Sequence, residues 1–167
     1  QAIMSKTGHS LTKTKMKETK ALLAGEMSGH VFFSDQYYGF DDAMYAAIRL
    51  LNIIAEGFDL NKFINKFSGY HSTPEIKVFC EDSIKFNIIN QIKKIVNKKY
   101  SNINNIDGIR ISLPHGWWLM RASNTQPAII IRCESNSEKD LNAIINEINT
   151  ILIKFNLNLI NKANFNL

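Results

Sequence analysis

The sequence predicts an α/β unit followed by an α+β unit, the second an antiparallel sheet packed with helices. Three observations predict it. Short apolar strands precede a strongly periodic helix at 41–56. The run Ser68 to Pro74 breaks the pattern with Gly69, Ser72, Thr73 and Pro74. Residues 75–155 then alternate hairpin-like strands with two amphipathic helices. With 167 residues and 45% hydrophobic content the chain can bury a core, as one domain or two small ones. The break sets the expected boundaries at 1–67, a hinge at 68–74 and 75–167.

Gln1 to Met4 reads as a strand entered partway, leading into Thr7-Gly8-His9. This suggests a piece of a longer chain. Ser10 to Lys20 is predicted as a short basic helix with Ser10 as N-cap. Ala21 to Ala24 is a short strand delivering Gly25-Glu26-Met27-Ser28-Gly29-His30, and Val31 to Phe33 is its successor. Tyr37 to Phe40 forms an aromatic turn. In the helix from Asp41 to Glu56, Met44, Ala47, Ile48 and Leu51 follow helical spacing, with Asp42, Tyr45 and Arg49 opposite. The two aspartates suit the helix start and Gly57 its end. A weaker helix spans Leu60 to Phe67.

The second half opens with a strand at Glu75 to Cys80. A helix at Ser83 to Lys98 places Ile88, Ile92, Ile95 and Val96 on one face. Asp107-Gly108 between apolar residues signals a hairpin. Trp117 to Arg121 and Ala128 to Glu134 are strands joined by a polar loop, and alternation puts Trp117 and Trp118 on opposite faces. Ser137-Glu138-Lys139-Asp140 opens the last helix, which runs to Phe155 with Leu141, Ile144, Ile145, Ile148 and Leu152 as its stripe. The tail from Asn156 is expected to be loosely held.

The charge of +5 lies mainly in two lysine clusters that read as solvated helix faces, so nucleic acid is not expected as a partner. No run approaches the roughly 20 apolar residues of a membrane span, and no signal-peptide pattern is present. Cys80 and Cys133, far apart in apolar strands, read as two buried free thiols, which suits a reducing, cytoplasmic setting. No Cys/His spacing suggests zinc, and no Asp-rich metal loop or Gly-rich phosphate loop occurs.

Two polar loops carry the chemistry. In the first, Glu26, Ser28 and His30 stand among glycines that let a ligand approach the backbone; this set suits a polyhydroxylated ligand. In the second, Arg121-Ala122-Ser123-Asn124-Thr125-Gln126-Pro127 offers a planar fork and neutral donors that suit a phosphate. Arg132 lies on the following strand. The residues alone leave a second possibility open for each loop, a satisfied tight turn and a polar hairpin connection. His71 and His115 receive no role.

Lys6-Thr7-Gly8-His9-Ser10, the block Ala21 to Phe33, Gly39-Phe40-Asp41-Asp42, Ser72-Thr73-Pro74-Glu75 and Arg121 to Pro127 occur in an order and spacing that resembles the C-terminal part of the alpha-D-phosphohexomutases, the phosphomannomutase/phosphoglucomutase enzymes. The resemblance covers nearly the whole chain. It implies four domains, with this chain spanning the later part of domain three and domain four. It implies an isomerase that moves a phosphoryl group between C1 and C6 of mannose or glucose phosphates. The implied route uses a phosphoserine and a hexose 1,6-bisphosphate intermediate. Phosphoserine and Mg2+ would lie in domains one and two, outside this sequence. The chain alone is therefore expected to be inactive, its partners being a hexose phosphate and those missing domains. Glu26 and Ser28 match sugar-hydroxyl positions, and His30, Thr7, Gly8 and His9 match positions lining the same pocket. Arg121, Ser123, Asn124 and Thr125 match the loop that binds the phosphate not undergoing transfer, with Arg132 similar to a supporting arginine. Met27 and Asn124 resemble the mannose/glucose enzymes rather than the glucosamine-phosphate type. The alternative expectation is a stand-alone, non-catalytic sugar-phosphate-binding module.

Overall fold

The computed structural model describes residues 1–161. Contacts divide the chain into two units, Gln1–Phe67 and a second beginning at Ser68.

In the first unit, α1 (His9–Thr19) starts after Gly8 rather than at Ser10. Gly8 has φ +130°, a conformation glycine reaches without a Cβ penalty. Ser10 therefore sits inside the first turn, and no side chain caps the helix. Thr12 and Met16 are its buried residues. β1 (Leu23–Gly25) pairs antiparallel with β2 (Val31–Phe33), and the register Gly25↔Val31 leaves residues 26–30 as the connecting loop. After the aromatic turn, where Tyr37 stacks on Tyr45 at 4.0 Å, α2 (Ala43–Ala55) begins. Its cap is Asp42, whose Oδ1 accepts from the Tyr45 N–H at 3.0 Å. The Tyr37 hydroxyl donates to Asp42 Oδ2, which holds the Asp42 carboxyl below its usual range and raises Tyr37.

The stripe Met44, Ile48 and Leu51 is helical as expected, but it is 77%, 54% and 63% exposed. The opposite side makes the contacts: Tyr45 packs edge-on to Phe33 and the Arg49 guanidinium lies 4.6 Å from the Phe33 ring while pairing with Asp35. A short helix, α3 (Leu60–Ile64), capped by Asp59, and a 3-10 turn at Asn65–Phe67 complete the unit.

The second unit contains β3 (His71–Ser72), β4 (Ile76–Phe79), α4 (Lys85–Val96), β5 (Ile103–Asn104), β6 (Ile109–Leu113), β7 (Gly116–Ala122), β8 (Ala128–Ser135) and α5 (Glu138–Ile153). The sheet runs β3-β8-β7-β6-β5, with β4 also on β8, all antiparallel. Alternation along each strand sends Ile76, Val78, Ile109, Ile111, Trp118, Met120, Ile129, Ile131 and Cys133 into one core with the stripes of α4 and α5. Trp118 is fully buried, whereas Trp117 on the other face donates its indole N–H to Glu134. Ile95, expected in the α4 stripe, is 37% exposed at its edge. Ser137 caps α5 by accepting from the Asp140 N–H.

Within the expected hinge 68–74, His71 and Ser72 pair with β8. Thr73 exchanges two hydrogen bonds with Cys133: its N–H donates to the Cys133 carbonyl at 2.9 Å, and its hydroxyl accepts from the Cys133 N–H at 3.1 Å. Pro74, which has no N–H, marks only an interruption in one extended edge. The tail from Asn156 is also held where it is described. Ile160 is buried, and its backbone pairs with the Asn149 side chain in both directions. Residues 162–167 lie outside the described residues.

A Cβ on Gly116 would run into the Glu134 carbonyl oxygen and the Ser135 Cα, both backbone. Gly116→Ala is expected to cost about 2 kcal/mol or more, since a backbone neighbour cannot rotate away. At Gly69, where a Cβ meets nothing within 4 Å, alanine should change stability by less than about 0.5 kcal/mol. Equal melting temperatures for the two variants would refute this packing argument.

Burial pushes the Cys133 thiol up to about 12. A thiol raised in the folded state contributes stability fully present below its unfolded pKa and lost as pH rises through the folded value. Folding should therefore weaken progressively from about pH 9 to 12 through this group, and Cys133→Ser should reduce that slope. An alkylating reagent should label half-buried Cys80 well before Cys133 in the native chain. Labelling both at one rate would show that the core opens faster than the chemistry.

Candidate functional site

The first loop is a tight turn stapled to the start of α1. The Glu26 N–H donates to the His30 carbonyl at 2.9 Å, and the Gly29 N–H donates to the Glu26 carbonyl at 3.0 Å. Gly29 takes φ +92° there. The Glu26 carboxylate faces α1: Oε1 accepts from the Gly8 N–H at 3.0 Å and the Thr12 hydroxyl at 3.2 Å, and Oε2 accepts from Ser28 at 3.4 Å. Glu26 therefore supplies the helix start with the acceptor that Ser10 does not. The structure brings Gly8, His9, Glu26, Ser28 and His30 into one polar patch, with Thr7 immediately before it on the chain.

One member was missed by sequence reasoning. Asp41 reads there as a helix start, but Asp42 does the capping. Asp41 Oδ2 instead lies 2.7 Å from His30 Nδ1 and 3.1 Å from His9 Nδ1. The two imidazoles meet edge-on at 4.3 Å. Asp41 is fixed by an isolated antiparallel bridge to Phe32, a contact visible only once β2 and the following turn have folded back. Among the described residues these three side chains are the cluster able to hold a metal ion. Two imidazole nitrogens and one carboxylate oxygen do not suit magnesium, which takes oxygen ligands. A cleft of 610 Å³ in the same unit is lined by Lys13, Lys17, Lys20, Tyr38 and Phe40 and by none of the loop residues. A second cleft, of 370 Å³, takes Thr12 and Gly25 into its lining.

The second loop joins β7 to β8. Its closing pair is Ala122↔Ile129, with Arg121↔Ile130 and Leu119↔Arg132 below it. Arg121 and Arg132 therefore share the sheet face opposite the helices as diagonal cross-strand neighbours, a spacing of roughly 7–8 Å between such positions. Arg121 approaches Asp107 at 4.0 Å, and the Arg132 Nε is buried with no hydrogen-bond partner. Ser123 is buried within the loop. Its hydroxyl oxygen accepts from the Thr125 and Gln126 N–H groups, at 3.3 and 3.1 Å. Those two N–H groups are thus engaged inside the loop, which leaves exposed Asn124, the exposed Thr125 hydroxyl and the partly exposed Arg121 guanidinium as donors for a ligand.

Lys85 was also missed. It is 3% exposed, pairs with Asp82 at 2.5 Å and donates to the Gln126 carbonyl at 3.0 Å. The lysine thereby ties the β7–β8 loop to the start of α4. A signal existed: Lys85 falls in register with Ile88, Ile89, Ile92 and Val96, an inward position for a charged residue.

Glu26→Ala is expected to fray the first turn of α1 and cost about 1 kcal/mol, the usual scale for a lost helix-start acceptor. Glu26→Gln keeps an oxygen for Gly8 and Thr12 and should hold stability. Amide exchange at Gly8 and Thr12 reports the difference, and equal protection in both variants would show that the carboxylate does not hold the helix.

Comparison with known proteins agrees with this division. Residues 1–70 match the family model for phosphoglucomutase/phosphomannomutase, alpha/beta/alpha domain III, and residues 75–151 match that for the phosphoglucomutase/phosphomannomutase C-terminal domain. The chain is 47% identical over 143 residues to the phosphomannomutase/phosphoglucomutase of Pseudomonas aeruginosa, covering 85% of this chain and 31% of that protein. It is 41% identical over 162 residues to the phosphoglucomutase of Neisseria meningitidis serogroup A, covering 96% of this chain and 35% of that protein. A crystal structure of a phosphoglucomutase/phosphomannomutase family protein from Burkholderia thailandensis superposes with a TM-score of 0.77 at 40% identity. That match covers 90% of this chain and 32% of the other. The chain spans about a third of the length of the relatives it matches. On these matches, the chain belongs to the phosphoglucomutase/phosphomannomutase family and carries its domain III and C-terminal domain sequences.

Proposed function

We propose that this chain is the sugar- and phosphate-binding portion of a longer phosphohexomutase that interconverts the 1- and 6-phosphates of mannose or glucose. One observation carries the reading: the β7–β8 register sets Arg121 and Arg132 together on the helix-free face beside a loop of neutral donors. A guanidinium fork grips phosphate oxygens in two directions at once, and an acceptor-only ligand matches a site made of donors. The first loop complements it. Glu26, Ser28, His9 and His30, with Thr7 and Gly8, provide acceptors and exchangeable donors for sugar hydroxyls.

The proposed reaction transfers a phosphoryl group from an enzyme phosphoserine to a free sugar hydroxyl, forming a hexose 1,6-bisphosphate. The phosphate at the other position then returns to the serine. In the first transfer the sugar hydroxyl loses its proton as its new P–O bond forms and the serine P–O bond breaks, the serine oxygen taking a proton; in the second the serine hydroxyl loses its proton as its P–O bond re-forms, and the departing sugar oxygen takes one. This chain's part is to grip the phosphate that is not moving and to orient the ring hydroxyls. Phosphoryl transfer depends chiefly on such positioning and on charge stabilisation. The phosphoserine and the magnesium site belong to upstream domains in this proposal.

Arg121→Ala is expected to weaken glucose 1-phosphate binding about 10- to 100-fold, the scale of a lost charge-assisted pair of roughly 1.5–3 kcal/mol. The second unit should remain folded, and Arg121→Lys should recover only part of the loss because an ammonium cannot fork. Titration calorimetry with circular dichroism reads both. Unfolding of the alanine variant would assign Arg121 a structural role instead. Glucose 1-phosphate conversion should appear only when the upstream domains are joined to this chain. A chain that binds but gives no conversion even with them would favour a non-catalytic binding module.

A further inference from the structure

Asp41 has a geometry that helix capping does not explain. One oxygen, Oδ2, faces the Nδ1 atoms of both His30 and His9, at 2.7 and 3.1 Å. An ionised carboxylate accepts and cannot donate, so each contact requires the proton on Nδ1. A neutral imidazole holds one such proton. Nε2 of both rings is then a bare lone pair, an acceptor. The arrangement is braced from two sides. Phe32, fully buried, bridges to Asp41 through the backbone and meets the His9 ring edge-on at 6.0 Å. The two imidazoles also pack against each other. The Glu26 carboxylate, the other acceptor of the patch, is partly engaged by Gly8, Thr12 and Ser28. Sugar hydroxyls arriving as donors need acceptors beyond it.

We propose that Asp41 is a positioning residue of the sugar-binding loop, which holds His9 and His30 in the Nδ1–H form and so presents their Nε2 atoms as acceptors for sugar hydroxyls. The inference rests on the hexose phosphate reading given above. Asp41 touches no ligand in this scheme; it acts through the tautomer of its two neighbours, as carboxylates do behind metal-bound histidines.

Nitrogen-15 NMR of the histidine side chains tests it on the chain as it stands. Spectra are taken near pH 8.5, about two units above an ordinary imidazole pKa. A chelator is present because the three side chains are able to gather around a metal. His71 and His115, both exposed, serve as internal references. His9 and His30 should both show a protonated Nδ1 and a bare Nε2. Adding glucose 1-phosphate should move the two Nε2 signals. Asp41→Asn should release the tautomers towards Nε2–H and weaken glucose 1-phosphate binding about 10- to 100-fold, the range seen when an orienting partner is lost. Asp41→Glu should recover part of both effects.

Nε2–H forms in the parent chain would overturn the proposal without any variant, so a poorly folding Asp41→Asn does not shelter it. Released tautomers with unchanged affinity would overturn it too. If the parent chain shows both Nδ1–H forms but no response to glucose 1-phosphate, the hexose phosphate reading falls and Asp41 becomes a structural clamp. Binding with the wrong tautomers leaves that reading standing and removes only the role of Asp41.

Discussion

The antiparallel register between β7 and β8 is the constraint on which the second unit depends. From Gly116↔Ser135 to Ala122↔Ile129 it decides, residue by residue, what enters the core and what faces outward. Trp118, Met120, Ile129, Ile131 and Cys133 go inward, and Arg121 and Arg132 go outward. A slip of one residue would exchange these sets, burying two guanidinium groups and exposing the largest core side chain. The same strand, β8, also pairs with β3 and β4 on its other side, so an error there would propagate to that edge as well. The close approach at Gly116 helps pin the register, because only a residue without a Cβ fits against the Glu134 carbonyl.

The readable part of the fold is the part where one-dimensional periodicity decides burial. The Leu141, Ile144, Ile145, Ile148 and Leu152 stripe and the alternation at Trp117 and Trp118 were legible because each repeats against a single large core. Periodicity failed in α2, where the stripe at Met44, Ile48 and Leu51 is real but exposed. Spacing states which residues share a face; it does not state what lies against that face. Here the β2 side is met by Tyr45 and Arg49, through ring stacking and a guanidinium over Phe33, and a hydrophobicity pattern does not register these contacts. Ser10 failed for a related reason. A serine near a helix start reads as a cap, but the acceptor at this helix arrives from Glu26, sixteen positions downstream, and only the folded loop brings it back.

The candidate site divides in the same way. Both loops were visible from their own residue types, because glycine-flanked polar runs and an arginine ahead of small hydroxyl residues are local signals. The supports were not visible. Asp41 reaches His9 and His30 through a backbone bridge to Phe32, and Lys85 reaches the Gln126 carbonyl from another element. Each is adjacent to its partner only in space. Lys85 left a trace as a charge in an apolar register; Asp41 left none, since the neighbouring Asp42 gave an aspartate pair an adequate local explanation.

Physical chemistry also limits what these two loops can do by themselves. The Cys133 thiol is buried in the core and held protonated, which removes it as a nucleophile. Ser123 directs its oxygen to two backbone N–H groups, and Ser28 makes a long contact, 3.4 Å, with a Glu26 carboxylate that already accepts from Gly8 and Thr12. Neither is the short, aligned contact with a base that activates a hydroxyl. The imidazoles have the orienter, Asp41, but their bare nitrogens accept hydrogen bonds and offer no phosphoryl group. What the two loops offer is recognition chemistry, an acceptor-rich patch in the first unit and a donor-rich loop in the second. In the proposed reaction the two ends of the sugar exchange places, and a grip that must tolerate either orientation gains by leaving the reactive group elsewhere, since a fixed nucleophile beside either loop would favour one of them.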